Sequence, residues 1–433
     1  MPEKKIALVW FKTNLRLGDN ECLFNAVAEN DIVIPFYCLD DHLFQMTAFK
    51  FRKAGHFRLK FLKESLQQLE QDLRKVGSGL VLVKGSPEEE IFKLVKRYGA
   101  QRIYAEKEVA PEELSTQKKV TDKLFSLNCS FSTFDCRNLF HADDLPFSLE
   151  LLPDVFTAFR KNIENIVSIR PVLPKPIAIV SPPIAALNLA VLKELNLADI
   201  IADPRAAIQF KGGTDQAHQR LHYYLYETRA LSTYKKTRNG MVGERYSSKF
   251  SAWLALGCIS ARELYEAIKK YEVAYQANES TYWLVFELLW RDYFGFCMQK
   301  NAKRYFQRSA NLQSVAVNTD QFNIMLNHWI NGTTGVPFID ANMIELRLTG
   351  FMSNRGRQNV ASYFCNDLCL DWRYGAAYFE QQLIDYDVCS NWGNWAYLAG
   401  VGNDPRTNRY FNIDKQSATY DPDQVFQQLW LKS

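Results

Sequence analysis

No stretch of the sequence approaches eighteen consecutive apolar residues, and the opening MPEKKIALVWF lacks the apolar core and cleavage site of an export signal. Membrane insertion and secretion are therefore not expected; the expected location is the cytoplasm. No CxxC pair occurs among the nine cysteines (Cys22, Cys38, Cys129, Cys136, Cys258, Cys297, Cys365, Cys369 and Cys389), so they read as reduced, mostly buried thiols rather than a disulfide framework. Histidine is scarce, and although His218 and His222 stand four apart, no carboxylate or thiol motif accompanies them, so no metal site is expected. Neither sign of charge is in excess: Lys+Arg 52 against Asp+Glu 48 leaves +4, too little to mark a nucleic-acid binder, and any basic groove must be local. A dinucleotide fingerprint is missing too, because Gly77-Ser78-Gly79 precedes a strand instead of following one and opening a helix.

What is present is an ordinary globular composition, 47% hydrophobic and 23% charged over 433 residues, enough for two or three domains. Apolar β-rich runs at Ile6–Phe11, Ile32–Leu39, Leu80–Val83, Ile103–Ala105 and Phe131–Phe134 alternate with helical stretches such as Phe57–Lys75 and Glu88–Tyr98. That alternation predicts a parallel sheet covered on both faces, a Rossmann-like α/β domain over 1–135. Across 136–205 the pattern fades, and Pro171, Pro174, Pro176, Pro182 and Pro183 mark a linker that crosses both domains, packs and holds short helices. From 206 to 433 the periodicity is helical throughout. This half carries Trp253, Trp283, Trp290, Trp329, Trp372, Trp392, Trp395 and Trp430, a density that ordinarily means core packing.

Several clusters place costly polar groups inside apolar segments. Glu287, Trp290, Arg291 and Phe294 share one face of a helix over 282–294, which gives either a Glu287–Arg291 salt bridge or a face turned into a ligand pocket. Asn354, Arg357 and Gln358 converge one turn apart, an amide and guanidinium set suited to a polar heterocycle. Asp385, Asp387, Asn391 and Trp395 fall within eleven residues. Tyr246-Ser247-Ser248-Lys249-Phe250-Ser251 offers hydroxyls and an amine before a helical run, the chemistry that holds phosphate.

Taken together and in order, these motifs resemble the cryptochrome/photolyase family, in its DASH branch. The resemblance rests on TYKKTRNG at 233–240, YSSKFSAWLALGCIS at 246–260, YWLVFELLWRDYF at 282–294, GVPFIDANM at 335–343, TGFMSNRGRQNVAS at 349–362, DWR at 371–373 and DYDVCSNWGNWAYLAGVGNDPR at 385–406, with LVWFKTNLRLGDN at 8–20 similar to the family's opening strand and turn. It implies an α/β antenna domain and an all-helical domain holding FAD. Tyr234, Ser247, Ser248, Lys249, Phe250 and Ser251 would line the FAD phosphates and sugar. Trp290, Arg291, Asn354, Arg357, Asp385, Asp387 and Asn391 would surround its rings, with Arg357 paired to Asp385 and Asn391 facing flavin N5. Trp395, Trp372 and Trp329 fall where the family keeps an electron relay from flavin to surface, although three core indoles would look the same in sequence.

The implied reaction is light-driven repair: reduced flavin donates an electron to a cyclobutane pyrimidine dimer, the ring splits and the electron returns. Glu287, Gln358 and Tyr397 would meet the lesion, and the absence of histidine from 350–360 argues against (6-4) repair. The branch favours single-stranded DNA, where unstacking costs least. Arg238, Arg245, Lys249 and Arg406 are candidates for its groove. Methenyltetrahydrofolate is the implied antenna, with Glu112 or Glu113 as its acidic ligand. The end of the chain shortly after Trp430 weakens the alternative of a blue-light sensor or nucleic-acid-binding regulator without turnover. A monomer is expected.

Overall fold

The computed structural model describes residues 4–187, 191–192, 200, 203–308, 319–402 and 410–432. Arg406 and part of the 136–205 segment lie outside them. Five strands, β1 (Ile6–Phe11), β2 (Ile32–Asp40), β3 (Val81–Gly85), β4 (Arg102–Glu106) and β5 (Ser130–Phe134), form one parallel sheet in the order β3-β2-β1-β4-β5. Between them run α1 (Glu21–Glu29), α2 (His56–Lys75), α3 (Pro87–Tyr98) and α4 (Pro111–Leu124). Local signals set these elements. α3 opens with Pro87 and three glutamates and closes with Lys96, Arg97 and a left-handed Gly99, each charge complementing the helix dipole at its own end.

The sheet is buried on both faces because side chains alternate. Leu8 and Trp10 of β1 join Ile34, Phe36 and Ile103 in a small core against α3 and α4. Ala7, Val9 and Phe11 face the other way, into a core continuous with the helical half. The two halves are therefore packed as one hydrophobic body rather than merely tethered. At their junction Leu15 N donates to Leu256 O at 3.1 Å, Arg16 donates to Gly257 O at 3.0 Å, and Arg262 pairs with Asp19 at 2.8 Å, both buried. Gly257 has a φ of +66° and lies where a Cβ would come within 2.0 Å of Thr13 O, so only glycine permits this docking.

The segment after β5 packs as the sequence suggests, with α5 (Phe156–Ile163) buried against the helical half. In the helical half, α6 (Thr214–His222), α7 (Tyr234–Thr237), α8 (Ser251–Ala255), α9 (Ala261–Ala274), α10 (Glu279–Asn301), α11 (Thr319–Asn331), α12 (Pro337–Thr349), α13 (Asn354–Ser362), α14 (Trp372–Gln382) and α15 (Val388–Leu398) precede two short C-terminal helices, and π-turns follow α6 and α13. No strand occurs after β5 among the described residues, and no described helix is long and apolar enough to cross a membrane. Eight cysteines are buried and Cys369 is exposed, all as free thiols. His218 lies 3.7 Å from Glu263 and His222 2.9 Å from Glu227, so the two histidines turn to different carboxylates.

Candidate functional site

A cavity of about 430 Å³ opens in the helical half between the 234–255 segment, α10, α13 and the 385–398 segment. Its wall brings together Tyr234, Ser247, Ser248, Lys249, Phe250, Ser251, Glu287, Trp290, Arg291, Asn354, Arg357, Gln358, Asp385, Asp387 and Tyr397. Residues up to 163 positions apart in sequence thus meet in one place, as separate motifs could not show.

On the 247–251 side the wall is built from hydroxyls. Buried Arg220 of α6 reaches behind it and donates to the carbonyls of Ser248 at 3.0 Å, Glu244 at 2.7 Å and Ser247 at 3.2 Å. These carbonyls are thereby spent on the far side of the loop, while the serine side chains line the cavity. Lys249 adopts φ +58° and is 3% exposed; its Nζ donates to Glu244 O at 3.1 Å and lies 3.4 Å from the Tyr246 ring centre. Burial, then the neighbouring Arg220, lowers its pKa to about 6. Lys249 is thus not a DNA-groove cation, because its amine is buried behind the wall. The helix after this loop, α8, is only five residues long, so this wall presents serine residues rather than the terminus of a long helix.

On the opposite side charges are paired. Arg357 donates through Nη2 to both oxygens of Asp385, at 3.0 and 2.8 Å, and through Nε to Met352 O at 2.9 Å. Asp387 forms a two-pronged pair with Arg137 and caps α15 by accepting from Ser390 N at 2.7 Å. Burial alone would raise the Asp387 pKa, but Arg137 holds it far below the usual carboxylate range. Arg291 does not pair with Glu287. It donates to Arg137 O at 2.6 Å and Leu254 O at 3.1 Å, and burial together with Arg137 lowers its pKa to about 10. Glu287 instead pairs with Arg238, 49 residues earlier, and that pair sits in the cavity wall. Of the two alternatives the sequence left open, the i,i+4 bridge does not form, because Arg291 is drawn to carbonyls deeper in the fold, and the face instead lines the cavity.

Trp290 stacks on Phe156 of α5, with centroids 3.7 Å apart and planes 11° apart, and meets Tyr397 edge-on at 5.9 Å. Asn391 is not in the wall. It is 8% exposed and its Nδ2 donates to Ala376 O at 3.0 Å, whereas Asn394, one turn on, lines the cavity. Trp395, on α15, is buried. A Cβ at Gly375 would come within 2.3 Å of its ring, so the missing side chain lets α14 and α15 close on it. Trp372 is fully buried and meets Trp392 at 5.8 Å. Trp329 has no exposure, lies 6.2 Å from Trp395 and donates to Val360 O at 3.2 Å, so all three indoles expected to form the relay are buried and none of them is its surface end. Arg245 is exposed and lines a second cavity. At the start of α4, Glu112 pairs with Lys53, which also lies 3.8 Å from Glu380 of α14. Glu113 has its pKa raised by burial first and by Glu108 second.

Sequence reasoning missed Arg137, Arg220 and Phe156, which hold the wall from elements outside every motif. Arg137 and Phe156 lie in a segment that reads as linker, and no local spacing signals their partners.

The residues fit a flavin nucleotide: hydroxyls with their neighbouring carbonyls turned away face one end, and Gln358 Oε1, buried without a partner, waits at the other. Comparisons with known proteins agree. A DNA photolyase family model matches residues 7–178, and a model of the FAD binding domain of DNA photolyase matches 283–433. Cryptochrome DASH of Danio rerio is 47% identical over 438 residues, covering 100% of this chain and 84% of that protein, and that of Gloeobacter violaceus is 46% identical over 430, covering 99% and 85%. A solved Synechocystis cryptochrome superposes with a TM-score of 0.93 at 44% identity over 100% of this chain and 89% of that one, and a class III photolyase from Agrobacterium tumefaciens with 0.84 at 25% over 100% and 87%. An FAD-binding helical cavity beside a parallel α/β domain, shared over essentially the whole chain with these relatives, places the protein in the DASH branch of the cryptochrome/photolyase family, whose functions are light-dependent and DNA-related.

Proposed function

We propose that the protein is a blue-light-driven lyase that splits cyclobutane pyrimidine dimers, preferentially in single-stranded DNA, with FAD in the helical unit at 206–433 and methenyltetrahydrofolate on the α/β unit at 1–135. The observation that carries this reading is the unpartnered amide oxygen of Gln358 in the same wall as Glu287. A buried acceptor without a donor costs about 1–3 kcal/mol, so the wall is built for an incoming donor, and a pyrimidine N3–H is one. Such a base edge would displace Arg238 from Glu287 and free its guanidinium for the strand. Trp283, with Lys235 4.3 Å and Arg238 5.7 Å from its ring centre, adds the aromatic and basic rim that single strands favour.

Bound FAD, reduced and excited by light, supplies the electron that opens the dimer. Ser247, Ser248 and Ser251 would hold its phosphates, and the Arg357–Asp385 ion pair would lie beside its rings. Trp395 and Trp372 relay electrons inward. Glu112 is taken by the Lys53 ion pair, so Glu113 would be the antenna's acidic ligand.

The test is Glu287→Ala, scored for flavin content, melting temperature and repair of a single-stranded thymine dimer under blue light. Repair per absorbed photon should fall at least tenfold while flavin content and melting temperature stay near wild type, since the released Arg238 is partly hydrated. Normal repair in this variant overturns the assignment of Glu287. A wild-type protein that binds FAD and responds to light without splitting the dimer supports the sensor instead.

A further inference from the structure

A second cavity, of about 800 Å³, backs onto the flavin cavity. One turn of chain separates them: Tyr234 and Arg238 face the flavin side, whereas Lys236 and Asn239 face the other. The basic residues of this turn and its surroundings divide the same way. Lys235 is neutralised by Glu279 and Arg238 by Glu287, but the three cations of the second cavity, Arg229, Lys236 and Arg245, form no ion pair among the described residues, and its lining contains no carboxylate. Three like charges around one concavity repel, an arrangement that an anion relieves.

The wall is shaped for that anion. Arg229 is held at φ +52°, a costly conformation for a residue other than glycine, and its guanidinium lies 4.4 Å from the Tyr275 ring centre. Asn239 Oδ1 accepts from Arg355 Nη2 at 3.1 Å, which leaves its NH2 group as the donor. The hydroxyls of Ser232, Thr233 and Thr237 donate to backbone carbonyls, so cationic charge and the Asn239 amide carry the recognition. Tyr420 supplies an aromatic ring on the far wall and carries Arg355 4.4 Å from its centre.

We infer that this second cavity binds a nucleotide phosphate, with Arg229, Lys236 and Arg245 on the phosphate and Tyr420 beside the base. The phosphate has two possible sources, a free nucleotide or a link of single-stranded nucleic acid. The inference does not depend on dimer repair, since it concerns a wall the lesion does not touch.

The experiment uses the FAD-loaded protein in the dark and compares wild type with Arg229→Gln/Lys236→Gln. Unchanged flavin absorbance and melting temperature establish that the variant is folded, and Lys236→Arg restores charge as a control. Two probes are used: ADP by calorimetry, and an undamaged twelve-residue thymidine oligonucleotide at several salt concentrations. If a strand fills the cavity, the variant binds it at least tenfold more weakly at low salt, and the slope of log K against log salt falls by about 1.4, from two phosphate contacts at roughly 0.7 each. If a free nucleotide fills it, the variant loses ADP binding while the oligonucleotide is unaffected. Lys236→Arg should retain whichever probe binds. Equal binding of both probes by wild type and variant, or binding of neither by wild type, overturns the proposal. Failed dimer repair with these results intact would overturn only the proposed reaction.

Discussion

The two sides of the flavin cavity manage charge in opposite ways. Around Ser247–Ser251 the buried cation Arg220 is met by backbone carbonyls, whereas around the 385–391 segment Arg357 and Arg137 are met by carboxylates. A cation on carbonyls keeps its positive charge uncompensated, which suits a wall facing phosphates. A cation on a carboxylate is neutral as a pair, which suits a wall facing rings whose own charge changes during reaction. The difference also predicts fragility. A carbonyl that loses its donor is an unsatisfied dipole, but an arginine that loses its carboxylate is an unpaired buried charge, and the second is far costlier.

The sharpest way to break this contrast is Asp387→Asn. It leaves Arg137 and Arg291 as neighbouring buried cations and weakens the α15 cap, so unfolding free energy should fall by about 3–5 kcal/mol in urea titration, with flavin lost. The Asp387 pKa lies below its unfolded value, so the stabilisation lost in the variant is fully present above about pH 4 and declines as pH falls below that; the gap between wild type and variant should close in acid. Arg220→Gln on the other side should cost less, about 2 kcal/mol, and should weaken FAD binding more than it lowers the melting temperature.

Behind both walls lies Glu345, 2% exposed, with Oε2 unpartnered and a pKa raised to about 8 by burial against the opposing pull of Lys249 and Arg357. A carboxyl whose folded pKa is raised costs stability increasingly as pH rises from its unfolded value toward the folded one. Glu345→Gln should therefore be nearly neutral at pH 5 and stabilising by roughly 1–3 kcal/mol at pH 8, read as a melting-temperature difference that widens with pH. The smallest structural effects separate the indoles. Trp395→Phe should slow photoreduction of oxidised flavin at least tenfold with flavin retained, because phenylalanine packs similarly but is far harder to oxidise. Trp329→Phe, buried beside Trp395 and not at the surface, should change the rate less than twofold; equal slowing in both would make Trp329 an obligatory relay member.

Much of the fold was legible because its signals are local. The five strands read as apolar runs because both sheet faces are buried, and the observed boundaries lie within two residues of the sequence reading, as for β3 at Val81–Gly85. The motifs containing Tyr234, Ser247, Arg357 and Asp385 were legible singly as polar groups in apolar segments; only the family resemblance implied that they meet, and the structure places them around one cavity. The partners were not legible. Glu287 has Arg291 one turn away, yet pairs with Arg238, and the choice rests on two carbonyls that draw Arg291 elsewhere.

The sequence by itself determined membership of the family, the order of a parallel sheet domain before a helical one, and which polar residue types stand inside apolar segments, because these follow from periodicity and from motifs a few residues long. Only the tertiary structure decided that Trp329 is buried, that Lys249 turns away from solvent, that Arg137 reaches Asp387 across 250 positions, and that three unpaired cations share a cavity behind the flavin wall. Helix and strand spacing bring together only side chains a few positions apart, whereas a buried charge takes the best partner that the whole packed chain brings within about 3 Å.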